Sequence, residues 1–318
     1  MSNKKLDNSR ISKHLGQTSE YKDQYDPELL VSEPRINNRR HLDITDEDLP
    51  FVGYDTWNAY EVSALTNNGL PVAGVAKVIY PCSSKYIVES KSIKLYFNSF
   101  NMYKCGDTQQ QVLERVDQTA SKDLSELLQT NVVVKTFPAD LIATGDSVLN
   151  RSKYTTLEST FKQEYLTEMK LDTYSESPEL LETQDGACEG CDYSVWDKSR
   201  TCRWHSALLK SNCRVTSQPD WGDVYIMYQG HNHVTPESLL KYIVSFRDEC
   251  HFHEEICETI YKRLLDVLSP TQLCVTCLYA RRGGIDINPV RASNDYVIQQ
   301  ECSDLINPDV MHVKTAKQ

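Results

Sequence analysis

The 318-residue sequence lacks several features that would assign it to a broad class of protein. No stretch approaches the ~20 consecutive apolar residues of a membrane span, and the opening MSNKKLDNSRISKHLGQ has no apolar run behind its basic residues. We therefore expect a cytoplasmic protein with no membrane partner. Positive charge is also scarce, since 34 basic residues face 45 acidic ones, and a net charge of -11 argues against direct binding to nucleic acid.

A dinucleotide-binding fingerprint and a disulfide framework are missing as well. No Gly-x-Gly-x-x-Gly follows a strand pattern, so a nicotinamide cofactor would have to be held without a Rossmann fold. Cysteine is abundant, but the odd count of 11, the chain length and the missing signal peptide argue against a secreted disulfide-linked domain. Most of these thiols are expected to be free, buried or catalytic.

The composition and periodicity of the sequence change along the chain. Residues 1–50 are polar and predict a partly ordered arm rather than core. From residue 51, VAGVAKVIYP, SKYIVESKSIKLYF and NVVVKTF are rich in β-branched residues, as in strands, while residues 108–128 have helical spacing. A polar stretch at residues 163–189 is typical of a connection between domains. We therefore predict a first module at 51–172, a linker at 173–207 and a second module at 208–318.

The second half repeats the pattern of the first. DVYIMYQG and QLCVTCLYAR predict strands, and residues 236–247 and 252–267 predict helices. KLYFNSF at residues 94–100 and LKYIVSF at residues 240–246 share a Tyr and a Ser-Phe pair in register. This similarity favours two related α+β modules.

A cysteine and an aspartate in LLKSNCRVTSQPDWG are candidates for covalent chemistry. Cys213 precedes Asp220 by seven residues across a proline-containing turn, and such loops often carry reactive side chains. A free thiol has a pKa of about 8.5, so Cys213 would be a nucleophile only if its surroundings favour the thiolate. The alternative is a buried structural thiol, which is the commoner role of an isolated intracellular cysteine.

Three other segments carry groups that could bind a ligand. His253 and Glu254 in FHEE begin a helical pattern and could contact two edges of one ligand, although acidic residues also suit a solvated first turn. In VESKSIKLY, which predicts a strand-to-helix transition, Glu89 could accept hydrogen bonds from a heterocycle and Lys91 could hold a phosphate. The Arg-Arg-Gly-Gly of ARRGGIDINP could bind phosphate or be an exposed turn.

Five blocks in order give the chain a resemblance to a known family. DTWNAYEVSALTNNGLP, VESKSIKLYFNSFN, LLKSNCRVTSQPDWG, SFRDECHFHEE and RRGGIDINP all look like blocks of the NADPH-dependent 7-cyano-7-deazaguanine (preQ0) reductases. These are the nitrile reductases of queuosine biosynthesis, and the match is to their long, two-module form. It covers nearly everything from about Asp55 onward.

The resemblance implies a tunnelling fold, in which each of two modules is an antiparallel sheet with helices on one face, and a homodimer. It implies Cys213 as the nucleophile that forms a thioimidate, Asp220 as the proton donor, and two NADPH per turnover. The implied substrate-binding residues are Val88, Glu89, Ser90, His253 and Glu254; the implied cofactor-binding residues are Ser90, Lys91, Arg282 and Gly283. The unequal modules predict a composite site to which both contribute.

Two features depart from the family pattern. Family members often have a cysteine two residues beyond the Glu of the His-Glu pair, where it can form a protective disulfide with the nucleophile; here Ile256 stands there and the thiol is Cys257, which puts that disulfide in doubt. The linker carries Cys188, Cys191, Cys202 and His205, whose spacing is compatible with structural zinc or with reduced thiols. The reductase chemistry itself needs no metal.

Three other functions remain open from the sequence. A relative on the same fold adds ammonia to the nitrile to form an amidine, and ESKSIKLY with the RRGG turn favours the reductase over it. A cysteine hydrolase would carry the thioimidate on to an amide, but its usual Glu-Lys-Cys arrangement is not seen. A zinc-dependent interaction module would leave Cys213 and Asp220 without a role.

Overall fold

The computed structural model describes residues 22–139, 153–184, 191–193, 200–214, 216–312 and 314–318. The first half contains β1 (Ser32–Pro34), α1 (Ile36–Arg39), β2 (Val52–Leu65), β3 (Pro71–Pro81), β4 (Tyr86–Val88), α2 (Ser90–Asn98), α3 (Gln109–Leu128) and β5 (Val133–Pro138). The middle contains β6 (Thr155–Thr156), α4 (Gln163–Glu168), β7 (Thr183–Gln184) and β8 (Cys191–Tyr193). The second half contains β9 (Arg200–Ser206), β10 (Lys210–Asn212), β11 (Pro219–Gly230), β12 (His233–Val234), α5 (Pro236–Val244), α6 (His253–Leu268), β13 (Gln272–Tyr279), β14 (Ile285–Ala292) and α7 (Asp295–Ile306).

One large sheet joins the two halves of the chain. Its order is β5-β3-β2-β14-β13-β11-β9-β6, with β10 added on β11 and β8 on β9, and only the β6–β9 pair is parallel. The predicted α+β class is therefore confirmed. The sequence predicted a sheet for each module, whereas strands β2 and β14 pair over eight residues, from Ile285 opposite Ala59 to Ala292 opposite Val52, and merge them into one.

The two faces of this sheet are covered by different helices. Along β11, Val224 and Ile226 pack on the side of α5 and α6. Tyr225 and Met227, which alternate with them, pack with α7 on the other side. This alternation follows from the two-residue period of a strand. The prediction of helices on one face is thus wrong for α7, because these strands are apolar on both faces and each face needs a cover.

The first half has its own core, in which α2 and α3 pack on β2 and β3. The helix predicted from residue 108 is confirmed, and Thr108 caps it with a capping box to Gln111, an arrangement that typically contributes about 1 kcal/mol. The stretch SKYIVESKSIKLYF has strand composition as a whole, but it changes conformation at the strand-to-helix transition predicted within VESKSIKLY. Its strand ends at Val88 and α2 begins at Ser90, so the ligand-binding motif lies at a helix start.

The repeated Tyr and Ser-Phe motif has the same local structure in both halves. The Ser99 hydroxyl donates to the Tyr96 carbonyl oxygen at 2.6 Å, and Ser245 donates to Tyr242 at 2.7 Å. In each half the tyrosine ring meets the ring of the following phenylalanine edge to face, with centroids 5.3 Å apart. Equivalent geometry at equivalent positions supports the internal repeat.

Residues 22–50 pack against the body of the protein, although their polarity predicted an arm outside the core. Arg39 is fully buried and donates to both carboxylate oxygens of Glu258 on α6, at 3.0 and 2.8 Å. Arg35 is 2% exposed and pairs with Asp55 on β2. Burial of these charges is possible because each has a hydrogen-bonded counter-ion. Within the described ranges, no helix is long and apolar enough to cross a membrane.

Candidate active site

A cavity of about 170 Å³ lies where the two halves of the chain meet. Its wall includes eight of the ten residues predicted for the site: Ser90, Lys91, Cys213, Asp220, His253, Glu254, Arg282 and Gly283. Val88 and Glu89 lie behind this wall at the start of α2, 3% and 1% exposed. The predicted residues of both halves therefore converge, as expected for a composite site.

The β10–β11 hairpin positions the candidate nucleophile and acid. Ser211 on β10 pairs with Asp220 on β11, so Asp220 belongs to a strand and only residues 213–218 form the loop. The loop is closed by the Cys213 N–H, which donates to the Gln218 carbonyl oxygen at 2.8 Å. Ser217 adopts a left-handed backbone conformation within it, with φ 53°. Cys213 thus stands at the tip of a hairpin whose far strand carries Asp220.

Asp220 lies between the side chains of Arg282 and His253. One carboxylate oxygen contacts Arg282 Nη1, and the other lies 3.3 Å from His253 Nε2. Burial raises the pKa of Asp220, but the hydrogen bonds and charges of His253 and Arg282 outweigh it and hold the pKa below its usual value. Asp220 is therefore a carboxylate at neutral pH. The His253 ring is oriented by stacking on Tyr279, with centroids 3.9 Å apart.

Arg282 contacts Asp220 as well as the mouth of the cavity. Besides Asp220 it hydrogen-bonds the Gln218 side-chain oxygen at 2.9 Å, and it shares the cavity wall with Cys213. It is placed there by a tight turn in which Gly283 and Gly284 have φ of 55° and 79°. Residues other than glycine rarely adopt such positive φ values, so this turn needs glycine.

Glu254 is an unusual carboxyl group at the start of α6. It is 2% exposed, and its Oε1 has no hydrogen-bond partner among the described residues. Burial, followed by the negative charge of Asp55, raises its pKa from 4.5 to about 8 against the opposing effect of Arg35. A large part of Glu254 is therefore protonated at neutral pH.

Several cavity residues were missed from the sequence. Trp57, Ile285 and Ile287 form an apolar wall, and nothing in their pattern separates them from ordinary core residues. His251 lies between Glu249 at 3.1 Å and Glu255 at 3.3 Å. Burial lowers the pKa of His251, but hydrogen bonds to these carboxylates raise it overall to about 9. A cation at this position depends on side-chain contacts that the sequence does not reveal.

The remaining cysteines do not support the other roles considered. Cys257 is buried in the core, where its sulfur lies 3.4 Å from the Val275 carbonyl oxygen, so it is not in the cavity. Cys250 is half-buried, and its backbone forms a bridge with that of Asn212, the residue before Cys213. Both are free thiols, as are six other described cysteines, in agreement with the prediction for most of them.

Two of the four residues with zinc-compatible spacing, Cys202 and His205, have described side chains. Cys202 is disulfide-bonded, which corrects both the zinc interpretation and the expectation of a reduced thiol. His205 lies 3.0 Å from Asp223 and 3.3 Å from the Thr156 hydroxyl and stacks on Tyr225. Cys188 and the side chain of Cys191 fall outside the described residues. In the described part of the chain, no cluster of three or more metal-binding side chains occurs.

Comparison with known proteins gives consistent matches to one family. The family model described as "Nitrile reductase, 7-cyano-7-deazaguanine-reductase N-term" matches residues 21–136, and that described as "QueF-like protein" matches residues 219–297. A solved structure of the archaeosine synthase QueF-Like in the apo form aligns with 30% of this chain and 91% of its own, at 19% identity and a TM-score of 0.26.

Curated relatives match over almost the whole chain. The NADPH-dependent 7-cyano-7-deazaguanine reductase of Legionella pneumophila (strain Lens) is 38% identical over 92% of this chain and 93% of its own length. Those of Coxiella burnetii (strain CbuK_Q154) and Colwellia psychrerythraea are 39% and 37% identical, each over 88% of this chain and 91% of their own. With this similarity, and with Cys213, Asp220 and His253 in one cavity, the chain belongs to the family of NADPH-dependent 7-cyano-7-deazaguanine reductases.

Proposed function

We propose that this chain reduces the nitrile of 7-cyano-7-deazaguanine (preQ0) to the aminomethyl group of preQ1, using two NADPH per turnover. The nitrile carbon is attacked by Cys213 to form a covalent thioimidate. The observation that carries the proposal is the convergence of the Cys213 thiol, the Asp220 carboxylate and the Arg282 guanidinium in one cavity. The substrate is that of the similar reductases from Legionella pneumophila and Coxiella burnetii.

Asp220 acts first as a base and then as an acid in this proposal. Its lowered pKa leaves it able to accept the proton of the Cys213 thiol. The thiolate then forms a sulfur–carbon bond while one π bond of the nitrile opens, and the nitrogen takes the same proton back from Asp220. No net proton is gained or lost in forming the thioimidate. Arg282 and His253 favour the carboxylate form to which Asp220 returns.

The planar base is bound by groups from both halves. Val88, Glu89 and Ser90 contribute from the start of α2, and His253 and Glu254 from the start of α6. The apolar wall of Trp57, Ile285 and Ile287 suits the ring faces, while carboxyl groups suit the N–H edges of a deazaguanine. An N–H left unpaired in such a pocket would cost about 1–3 kcal/mol, which gives the site its selectivity.

NADPH fits the cationic side of the cavity. Lys91 in the first turn of α2 and Arg282 at the glycine turn provide the charges that a phosphate group requires, with Ser90 and Gly283 beside them. When bound, NADPH would supply hydride: one equivalent would reduce the thioimidate, the Cys213 thiol would be expelled to leave an imine, and a second equivalent would reduce that imine to the amine. Arg282 contacts Asp220 and, in this proposal, the cofactor phosphate. It therefore couples cofactor binding to the Asp220 carboxylate.

The tunnelling fold, the homodimer and the module limits at 51–172 and 208–318 are part of this proposal. In support, each half contains two packed helices between antiparallel strands: β2, β3, α2, α3 and β5 in the first, and β11, α5, α6, β13 and β14 in the second. The repeated Tyr and Ser-Phe geometry relates α2 to α5. Sedimentation of the full chain would test the dimer.

The covalent step can be tested by mass spectrometry. The protein is incubated with 7-cyano-7-deazaguanine without NADPH, and the adduct is mapped; with NADPH, absorbance of the nicotinamide is followed. Cys213→Ala should abolish both adduct and NADPH oxidation, whereas Cys250→Ala, which removes a neighbouring thiol, should keep both. Asp220→Asn should bind the nitrile but slow adduct formation. Turnover by Cys213→Ala would refute the mechanism, and amidine formation from ammonia without NADPH oxidation would assign the amidine-forming reaction instead.

A further inference from the structure

The C-terminal strap, which we define as residues 307–312 and 314–318, crosses the sheet on the face opposite the cavity. At one end, the Lys77 ammonium on β3 donates to the carbonyl oxygens of Asp304, Asn307 and Val310 at 2.7–2.8 Å. Lys77 lies on this face because its neighbours in the strand, Ala76 and Val78, pack toward α2 and α3. In the middle, Lys314 pairs with Asp286 on β14 at 3.0 Å.

The other end of the strap clamps the base of the β10–β11 hairpin. Lys317 Nζ donates to the carbonyl oxygen of Ala207, just before β10, and at 2.8 Å to that of Gly222 on β11. The Gly222 N–H in turn donates to the Leu209 carbonyl oxygen at 2.9 Å, so these groups form the hairpin's root. The Lys317 ammonium therefore bridges the segment that leads to Cys213 and the segment that follows Asp220.

We propose that Lys317 is a positioning residue for the covalent step, an inference that rests on the proposed function of Cys213. The hairpin pairs over three residues beyond the clamp, and the other backbone hydrogen bond of β10, from the Asn212 N–H to the Glu249 carbonyl oxygen at 2.7 Å, lies at the tip and not at the root. Asp220 is two residues from Gly222, so movement at the root changes the approach of sulfur and carboxylate to the nitrile. The base-binding residues Glu89 and Glu254 belong to α2 and α6 and are not touched by the clamp.

This separation defines the test. Lys317→Met keeps the length and apolar stem of the side chain but removes the ammonium. With full-length protein and no NADPH, the rate constant of thioimidate formation at saturating nitrile should fall by roughly tenfold, since small misplacement of reacting groups is costly. The nitrile Kd, measured with Cys213→Ala alone and with Cys213→Ala combined with Lys317→Met, should change by less than about twofold. Lys317→Arg, which retains the charge and N–H donors, should recover much of the rate.

Lys77→Met is the matched control, because it removes an ammonium with three carbonyl partners from the other end of the same strap. It should lower the melting temperature more than Lys317→Met does but leave the rate constant of thioimidate formation unchanged. An unchanged rate constant in Lys317→Met, or an equal fall in Lys77→Met, would overturn the positioning role of Lys317. Absence of the adduct from the unsubstituted protein would be a different result, since it would overturn the proposed function and with it this inference.

Discussion

At the scale of single residues, the proposed contact of Glu254 with the substrate would make binding sensitive to pH. Burial and Asp55 raise the pKa of Glu254 to about 8, so it is largely protonated at pH 7. An N–H edge of a deazaguanine would instead favour the ionised form, which accepts hydrogen bonds at both oxygens. Binding must then remove a proton at any pH below that pKa.

We therefore predict that nitrile binding weakens as the pH falls below about 8. The Kd is measured with Cys213→Ala to prevent reaction. Well below pH 8 it should increase roughly tenfold for each unit by which the pH is lowered, as expected when binding releases one proton. Glu254→Gln should bind more weakly at pH 8.5 but with a nearly flat profile. Tighter binding at pH 6.5 than at pH 8.5 would show that a protonated Glu254 donates to the base instead.

A second prediction concerns the two roles of Arg282. Arg282→Ala should raise the KM for NADPH far more than that for the nitrile, because pairing of a guanidinium with phosphate is mainly uniform binding. It should also move the acidic limb of thioimidate formation to higher pH, since Arg282 helps to lower the pKa of Asp220. Arg281→Ala, which loses a cation that stacks on Tyr60, is the control and should do neither. Equal changes in both KM values would remove Arg282 from the cofactor site.

At the scale of elements, the approach to α6 is organised by charge. His251 lies just before the helix and ties Glu249 in the preceding loop to Glu255 in its first turn. Glu255 also pairs with Arg214, the residue after Cys213, at 3.1 Å. These contacts connect the start of α6, which carries His253 and Glu254, to the hairpin that carries the nucleophile.

His251 should therefore contribute to stability in a defined pH range. Its pKa is raised from 6.5 to about 9 in the folded protein, so its contribution is complete below pH 6.5 and is lost as the pH rises through 9. The free energy of unfolding of the wild type and of His251→Gln should therefore differ at pH 6 and converge above pH 9. His231→Gln, at an exposed turn, is the control. A constant difference across this range would contradict the assignment.

At the scale of the whole molecule, a buried ionic cluster joins distant parts of the chain. Glu258 on α6 accepts hydrogen bonds from Arg39 near the N-terminal end of the described chain and from Arg291 on β14. Arg291 also pairs with Asp55 on β2 at 2.8 Å. Burial raises the pKa of Glu258, but Arg291 and Arg39 outweigh it and lower the pKa to about 2. The cluster thus spans the junction at which β2 and β14 merge the two halves.

Removing the shared carboxylate should destabilise the entire fold. We expect Glu258→Gln to lower the free energy of unfolding by about 3–5 kcal/mol, because it leaves buried guanidinium groups without a counter-ion. Asp266→Asn, which breaks an exposed pair with Lys262 on the same helix, should cost about 0–1 kcal/mol. In the wild type, the stabilising contribution of Glu258 is present above pH 4.5 and is lost as the pH falls through 2. Chemical denaturation at pH 7 and acid titration would check both, and equal costs for the two variants would contradict the role of the cluster.

Much of this molecule could be predicted from its sequence where structure depends on near neighbours. The helix from residue 108 and the strands around VAGVAKVIYP and QLCVTCLYAR follow from residue periodicity, which reports which side of an element is buried. The spacing of Cys213 and Asp220 placed both at one turn of the chain. The His253 and Glu254 pair was predicted at a helix start because capping and charge preferences act within a single turn.

What the tertiary structure decided depends on groups far apart in the chain. Arg39 and Glu258 are separated by 219 residues, and Arg282 and Asp220 by 62, so no local pattern could show that they are paired. The same holds for α7 on the second face of the sheet and for the Lys317 clamp on the hairpin. Sequence periodicity determines that a surface is apolar or a charge is available, whereas the fold decides which partner satisfies it. The pKa values of Asp220, Glu254 and His251 follow from those partners and from burial. For this reason the protonation states in the site depend on the tertiary structure and not on the local sequence.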